Sequence, residues 1–385
     1  MLCPLGPTMK HIILCLQIFV LLSSFSCSMQ TQYTAIFSFG DSYTDTGNKA
    51  IISGPVTPNL WITKPPYGMT FFGHPTGRLS DGRLTIDFIA EALGLPLLPP
   101  SLTKNQSFKQ GANFAVAGAT ALKQDHRALH MQAGGGARLP PPSNISLSDE
   151  LGWFDAMKPS LCSSPQACKE YFGKALFVVG ELGWNDYGVM LVGGKSVPEV
   201  QSYVAQIVET ISAATEKLIN DGATSILVSG ISPMGCAPGN LVFLGTNNAA
   251  DYESDTGCLK ALNQLSKEHN AQLRRALSSL TGEHPGVRVS YGDLYTPVAG
   301  FAASPGRYGF DGAGGALRAC CGGGGGRYNF NLSAACGMPG VSACKDPAAY
   351  VDWDGVHLTE AANRRVADGW LRGPYAQPPI LLSTA

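Results

Sequence analysis

Five short runs in the chain are apolar or β-branched without alternation: residues 34–39, 113–117, 175–179, 224–229 and 287–291. A strand with one wet face alternates apolar and polar side chains, so unbroken runs of this length predict strands covered on both faces. Helical stretches lie between them. Residues 83–93 read as a helix stopped by Gly94, and 198–220 as a longer one with Ser196 before it and Gly222 after it. Residues 258–280 form a third, and 360–371, introduced by Thr359, the last. Strands alternating with helices predict an α/β chain: a five-stranded parallel sheet between two helical layers, a three-layer α/β/α arrangement. Three stretches, 55–77, 123–142 and 297–347, are rich in Gly and Pro and read as surface loops. No repeat recurs and no linker leads to a second core, so residues 29–385 read as one domain.

The N-terminus changes the picture of where this domain works. Lys10 and His11 precede an apolar run at 12–22 and then small residues at 23–28. Such a run is too short to span a bilayer and has the flanks of an export signal, so residues 1–28 are expected to be cleaved. No later segment is long and apolar enough to anchor the chain, which is therefore expected outside the cell or in the cell wall. Charged residues are 14% and net charge is −1, so nothing draws the protein to nucleic acid. Beyond the signal, eight cysteines remain: Cys162, Cys168, Cys236, Cys258, Cys320, Cys321, Cys336 and Cys344. An even count in an exported chain points to disulfides. Cys162–Cys168 and Cys236–Cys258 make natural local loops, and the other four can pair in more than one way. Asn-x-Ser sequons at Asn105, Asn144 and Asn331 are candidate glycan sites.

Candidate chemistry sits at the strand ends, where ligands bind in an open parallel sheet. The first strand runs into Gly40-Asp41-Ser42, the second into Gly118, and the third is followed by Gly183-Trp184-Asn185-Asp186. Asp354-Gly355-Val356-His357 leads into the last helix. A serine hydroxyl needs a base to take its proton as it attacks. His357 suits that task, and Asp354 can hold its imidazole in one tautomer. Backbone N–H groups of Ser42 and Gly118 and the amide of Asn185 are candidate donors to the oxyanion. Each piece alone is a common turn or cap; together at strand ends they fill the roles of an acyl-transfer site.

These residues resemble a known family. Phe39-Gly40-Asp41-Ser42, residues 113–120, residues 180–186 and Asp354-Gly355-Val356-His357 are similar to the four sequence blocks of the GDSL, or SGNH, hydrolases. Gly77-Arg78-Leu79-Ser80-Asp81-Gly82-Arg83 and Cys320-Cys321-Gly322 resemble the plant GDSL esterase/lipases. The resemblance implies a flavodoxin-like fold, a secreted carboxylic-ester hydrolase without a cofactor, and the roles given above to Ser42, Asp354, His357, Gly118 and Asn185. One departure is Trp184, where that branch commonly has a small residue. A bulky indole there either narrows the acyl pocket, favouring acetyl esters such as acetylated xylan, or merely packs against a neighbouring loop.

Other readings are weaker. A metal hydrolase needs a ligand set, yet His126 and His130 stand in a Gly/Pro-flanked loop without a third ligand, and no His-Glu-x-x-His occurs. An α/β-hydrolase needs Gly-x-Ser-x-Gly at a strand end. A transacylase would share the acyl-serine and differ only in its acceptor, with acylated metabolites or lipids as alternative substrates. A non-catalytic binding protein would not need the full set of groups.

Overall fold

The sheet has strand order β2-β1-β3-β4-β5-β6, with β1 Ala35–Phe39, β2 Gly111–Asn113, β3 Ala175–Val179, β4 Ser225–Ser229, β5 Arg288–Gly292 and β6 Ala376–Gln377. The computed structural model describes residues 33–54, 60–123, 144–313 and 315–381. The expected export signal, His126 and His130 lie outside these. The first five strands are parallel, in the flavodoxin-like order. The sixth is a two-residue antiparallel edge on β5, too short to show a period in sequence.

Successive strand residues feed opposite layers, as the unbroken apolar runs require. Phe37, Phe39, Phe177, Val179, Ile226 and Val228 join one core with residues of the helices Leu147–Leu161, Val204–Asn220 and Lys260–Glu283. Ile36, Leu176, Val178 and Leu227 join the other with the helices Thr85–Ala92, Tyr295–Ala303 and Glu360–Arg372. The three-layer expectation therefore holds. No helix among the described residues is long and apolar enough to cross a membrane.

Several boundaries differ from the sequence expectation. The second strand ends at Asn113 because its side chain bends the chain there: Oδ1 accepts from Ala115 N (2.9 Å) and Nδ2 donates to Thr44 O (2.7 Å). The helix read at 198–220 is two, Val197–Gln201 and Val204–Asn220; Ser202 Oγ donates to Glu199 O (2.7 Å) at the break. Leu147–Leu161 was not expected, since Gly152 and Pro159 obscure its period and it buries only Leu147, Glu150 and Phe154.

The larger correction concerns the stretches read as surface loops. Tyr67, from 55–77, and Cys320, Cys321 and Cys336, from 297–347, are buried with Leu60, Ile62, Leu79 and Trp353 in a third core. Disulfides Cys162–Cys168 and Cys236–Cys258 close the local loops, and the remaining four pair as Cys320–Cys344 and Cys321–Cys336. Gly and Pro content marks irregular backbone; it does not report whether two irregular segments cover each other.

Candidate active site

The ends of β1, β2 and β3 are tied together before any reactive group is placed. Phe114 N donates to Ser38 O (2.7 Å), Val116 N to Gly40 O (3.1 Å) and Gly180 N to Phe39 O (2.7 Å). Gly40, at φ 137°, passes so close to Gly180 that a Cβ would lie 3.1 Å from its Cα. Two buried carboxylates then lace the loops. Asp45 accepts from the N–H groups of Gly47, Asn48 and Lys49 and, across the gap, from Ala117 N (2.8 Å). Asp186 accepts from Ala121 N (2.8 Å) and Leu122 N (2.9 Å), fixing the start of the helix Trp184–Val192 against the Gly118 loop.

Ser42 lies in the turn that follows β1, held by Thr44 N and Asp45 N donating to Asp41 O (3.1 and 2.9 Å). Among the described residues, no group accepts from the N–H of Ser42 or of Gly118. Gly118 adopts φ 84°, a left-handed conformation that suits glycine. Unpaired backbone donors beside a nucleophile are what an oxyanion hole consists of. Asn185 is engaged differently from the sequence expectation. Its Nδ2 donates to Asp41 Oδ2 (2.9 Å) and Ala119 O (3.0 Å), so both amide hydrogens have acceptors in the resting site. To act as a third donor it must yield one of these bonds.

His357 and Asp354 form a buried pair. His357 Nδ1 lies 2.8 Å from Asp354 Oδ2 and 2.9 Å from Oδ1, while His357 N donates to Oδ1 (3.0 Å). Burial pushes the Asp354 carboxyl up, but the facing His357, its hydrogen bonds and a bond from Tyr67 outweigh that and hold it below its ordinary value. An ionised carboxylate only accepts, so Nδ1 carries the proton and Nε2 is left as the basic nitrogen. The segment meets the serine turn through Tyr43, whose ring centroid is 5.8 Å from that of His357 and whose hydroxyl donates to Val356 O (2.8 Å).

Sequence reasoning missed the groups that hold this pair. Tyr67 Oη donates to Asp354 Oδ2 (2.8 Å) from a stretch with no periodic signal. The phrase at 77–83 anchors the residues after His357. Ser80 Oγ donates to Leu358 O (3.0 Å), Glu360 N to Asp81 Oδ1 (2.7 Å), and Arg83 Nη2 to Glu360 Oε1 (2.8 Å). A Cβ at Gly82 would fall 1.9 Å from Glu360 Oε2, so a side chain there would displace the carboxylate that Arg83 holds. Behind Asn185, the Cβ absent from Gly183 would lie 2.8 Å from His269 Cε1. Burial pushes this imidazole down to about 3, so it is a neutral packing group; its Nδ1 is 2.8 Å from Tyr187 Oη.

Behind the Ser42 turn, Glu181 is buried, with Oε1 accepting from Ser232 N (2.6 Å) and Oε2 without a partner among the described residues. Burial pushes its carboxyl up from 4.5 to about 7. Unfolded, Glu181 loses its proton near the lower value; folded, it keeps it until the higher one. Its contribution to stability is therefore present below pH 4.5 and is lost as pH rises to about 7. Glu181→Gln is expected to flatten this decline and raise the thermal midpoint at about pH 8 more than at about pH 5. Thermal unfolding at the two pH values checks it, and equal shifts at both would refute the assignment.

Trp184 is half-buried, its indole lying over Gly188 one turn along its own helix (3.5 Å from where a Cβ would stand). Asn105, Asn144 and Asn331 are all exposed. Among the described residues, Glu216, Glu283 and His284 could hold a metal ion, but they stand on the helices Val204–Asn220 and Lys260–Glu283 and at the end of the latter, not on the strand-end loops.

Residues 36–370 match the family model for GDSL-like lipase/acylhydrolase. A GDSL esterase/lipase of Arabidopsis thaliana is 44% identical over 353 residues, covering 90% of this chain and 92% of its own length. A second from the same plant is 43% identical over 379 residues, covering 97% and 91%. A third is 44% identical over 353 residues, covering 90% and 86%.

Proposed function

The chain belongs to the GDSL-like lipase/acylhydrolase family and is a carboxylic-ester hydrolase, and from that premise we propose that it is a secreted serine esterase of short-acyl esters, with acetylated cell-wall xylan as the substrate class. Ser42 Oγ attacks the ester carbonyl carbon as His357 Nε2 takes its proton. The oxyanion accepts hydrogen bonds from the N–H groups of Ser42 and Gly118, with Asn185 as third donor; one such donor lowers the barrier by about 3 kcal/mol. Collapse of the tetrahedral intermediate expels the alcohol, which takes the proton from His357. Water, deprotonated by the same nitrogen, attacks the acyl-serine and releases the acid and Ser42. Asp354 keeps Nδ1 protonated throughout.

The observation that carries this reading is the buried Asp354–His357 pair joined through Tyr43 to a serine turn with two unpaired N–H groups. Trp184, a bulky half-buried side chain next to Asn185, supports a short acyl group on that side of the site. The exposed sequons support glycans at Asn105, Asn144 and Asn331, in keeping with export. Two measurements test the proposal. A phosphonate ester is expected to label Ser42 and abolish turnover. On p-nitrophenyl esters of graded length, acetyl is expected to be preferred, and Trp184→Gly to shift the optimum to longer chains. Labelling elsewhere would remove the serine mechanism, and an unchanged chain-length profile would remove the role of Trp184.

A further inference from the structure

The glycine run at 322–326 and the aromatic residue it presents have no part in the mechanism above. Cβ atoms at Gly322 and Gly324 would lie 2.1 Å from Asn329 O and 2.3 Å from Phe330 O. The run thus lets two backbone segments touch and sets the position of Phe330. Cys320 N donates to Asp352 O (3.0 Å) and Cys321 N to Trp353 O (2.6 Å), joining this loop to the strip that leads into Asp354. Phe330 lies against Gly355, where a Cβ would fall 2.0 Å from its Cδ2. Gly355 is two residues from His357, and its carbonyl accepts from Gly239 N (2.7 Å), at the start of the helix Pro238–Phe243. That helix ends with Val242 and Phe243, 44% and 47% exposed, and the Phe243 ring meets Phe330 edge-on at 5.6 Å.

Single exposed apolar residues need no explanation. Here, adjoining apolar side chains, two of them half in water, are fixed to the turn that carries the base. The alcohol that leaves an acyl-serine reaction takes its proton from that base, so it departs on the His357 side. The carbonyl oxygen and acyl group lie toward Gly118 and Asn185. We propose that Phe243 and Phe330 form the subsite for the alcohol half of the ester, and that this half is a ring presenting a C–H-rich face to them. A carbocyclic alcohol and a pyranose both offer such a face. The inference rests on the serine-esterase reading.

The test compares kcat/KM for cyclohexylmethyl acetate, acetylated xylo-oligosaccharide and ethyl acetate in the wild-type protein and in Phe243→Ala. Loss of the ring contact is expected to lower the ratio of a ring acetate to ethyl acetate by about tenfold, and Phe243→Trp is expected to retain the wild-type ratio. Whichever ring substrate loses its advantage identifies the alcohol as carbocyclic or sugar. General damage scales all three rates and leaves the ratios unchanged, so unchanged ratios for both ring acetates in Phe243→Ala overturn the subsite. Failure of the wild-type protein to cleave any of the three overturns the short-acyl reading beneath it.

Discussion

Replacing Ser42 by alanine is expected to lower kcat by about a million-fold while leaving the fold in place. The loss is that large because nucleophile and base act as a unit: without the hydroxyl, His357 has no proton to take, and only the oxyanion donors and binding contacts remain. The fold should persist because the turn is held by backbone, with Thr44 N and Asp45 N donating to Asp41 O, and by Tyr43 N donating to Asp41 Oδ1 (3.0 Å). Steady-state rates on p-nitrophenyl acetate, with circular dichroism of the same samples, check both halves. A variant retaining more than about a tenth of wild-type kcat would show that another group attacks the ester.

Asp354→Asn is expected to cost about 10⁴-fold in kcat. The carboxylate accepts from Tyr67 Oη, His357 Nδ1, His357 N and Val356 N. An amide of the same shape has one oxygen for these donors and turns its NH₂ toward the rest. If the NH₂ faces Nδ1, the imidazole moves its proton to Nε2 and can no longer act as base. Stability should change in a defined direction. The carboxyl is held below its ordinary value of 3.8. Its stabilising contribution is therefore present above that pH and lost as pH falls through the folded value. The asparagine variant should be less stable at neutral pH and show less of this acid loss. Single-turnover rates and acid titrations of unfolding measure both, and a near-normal rate would show that Asp354 does not orient His357.

How much of this was legible depended on the range of the interaction concerned. The strand runs were readable because burial on both faces is written in every residue of the run, and Ala35–Phe39 and Ala175–Val179 fall within a residue of the expected bounds. Thr359 announced the last helix by a local bond, its side chain accepting from Ala362 N. The strand-end motifs drew attention to Ser42, Gly118 and Asn185 because parallel strands all deliver their carboxyl ends to one edge. By contrast, nothing near Tyr67 in sequence suggests a partner 287 positions away, and nothing near Ser80 suggests Leu358. The engagement of Asn185 by Asp41 was equally out of reach, because it depends on where two separate turns place their side chains.

Sequence alone therefore determined the layer architecture and the placing of Ser42, Gly118 and Asn185 just after strand ends, since these follow from local periodicity and turn chemistry, while the flavodoxin-like order was implied only by the family resemblance. Tertiary structure alone decided the pairing of Cys320 with Cys344 and Cys321 with Cys336, the buried setting of Tyr67, the anchoring of the His357 turn by residues 77–83, and the seating of Phe330 on Gly355. Each of these joins segments that are not neighbours in the chain, from 15 positions apart for Cys321 and Cys336 to 287 for Tyr67 and Asp354, and whose sequences carry no period. Contacts of that kind are fixed by which irregular backbones can approach without a clash, a property of two segments at once that neither sequence contains.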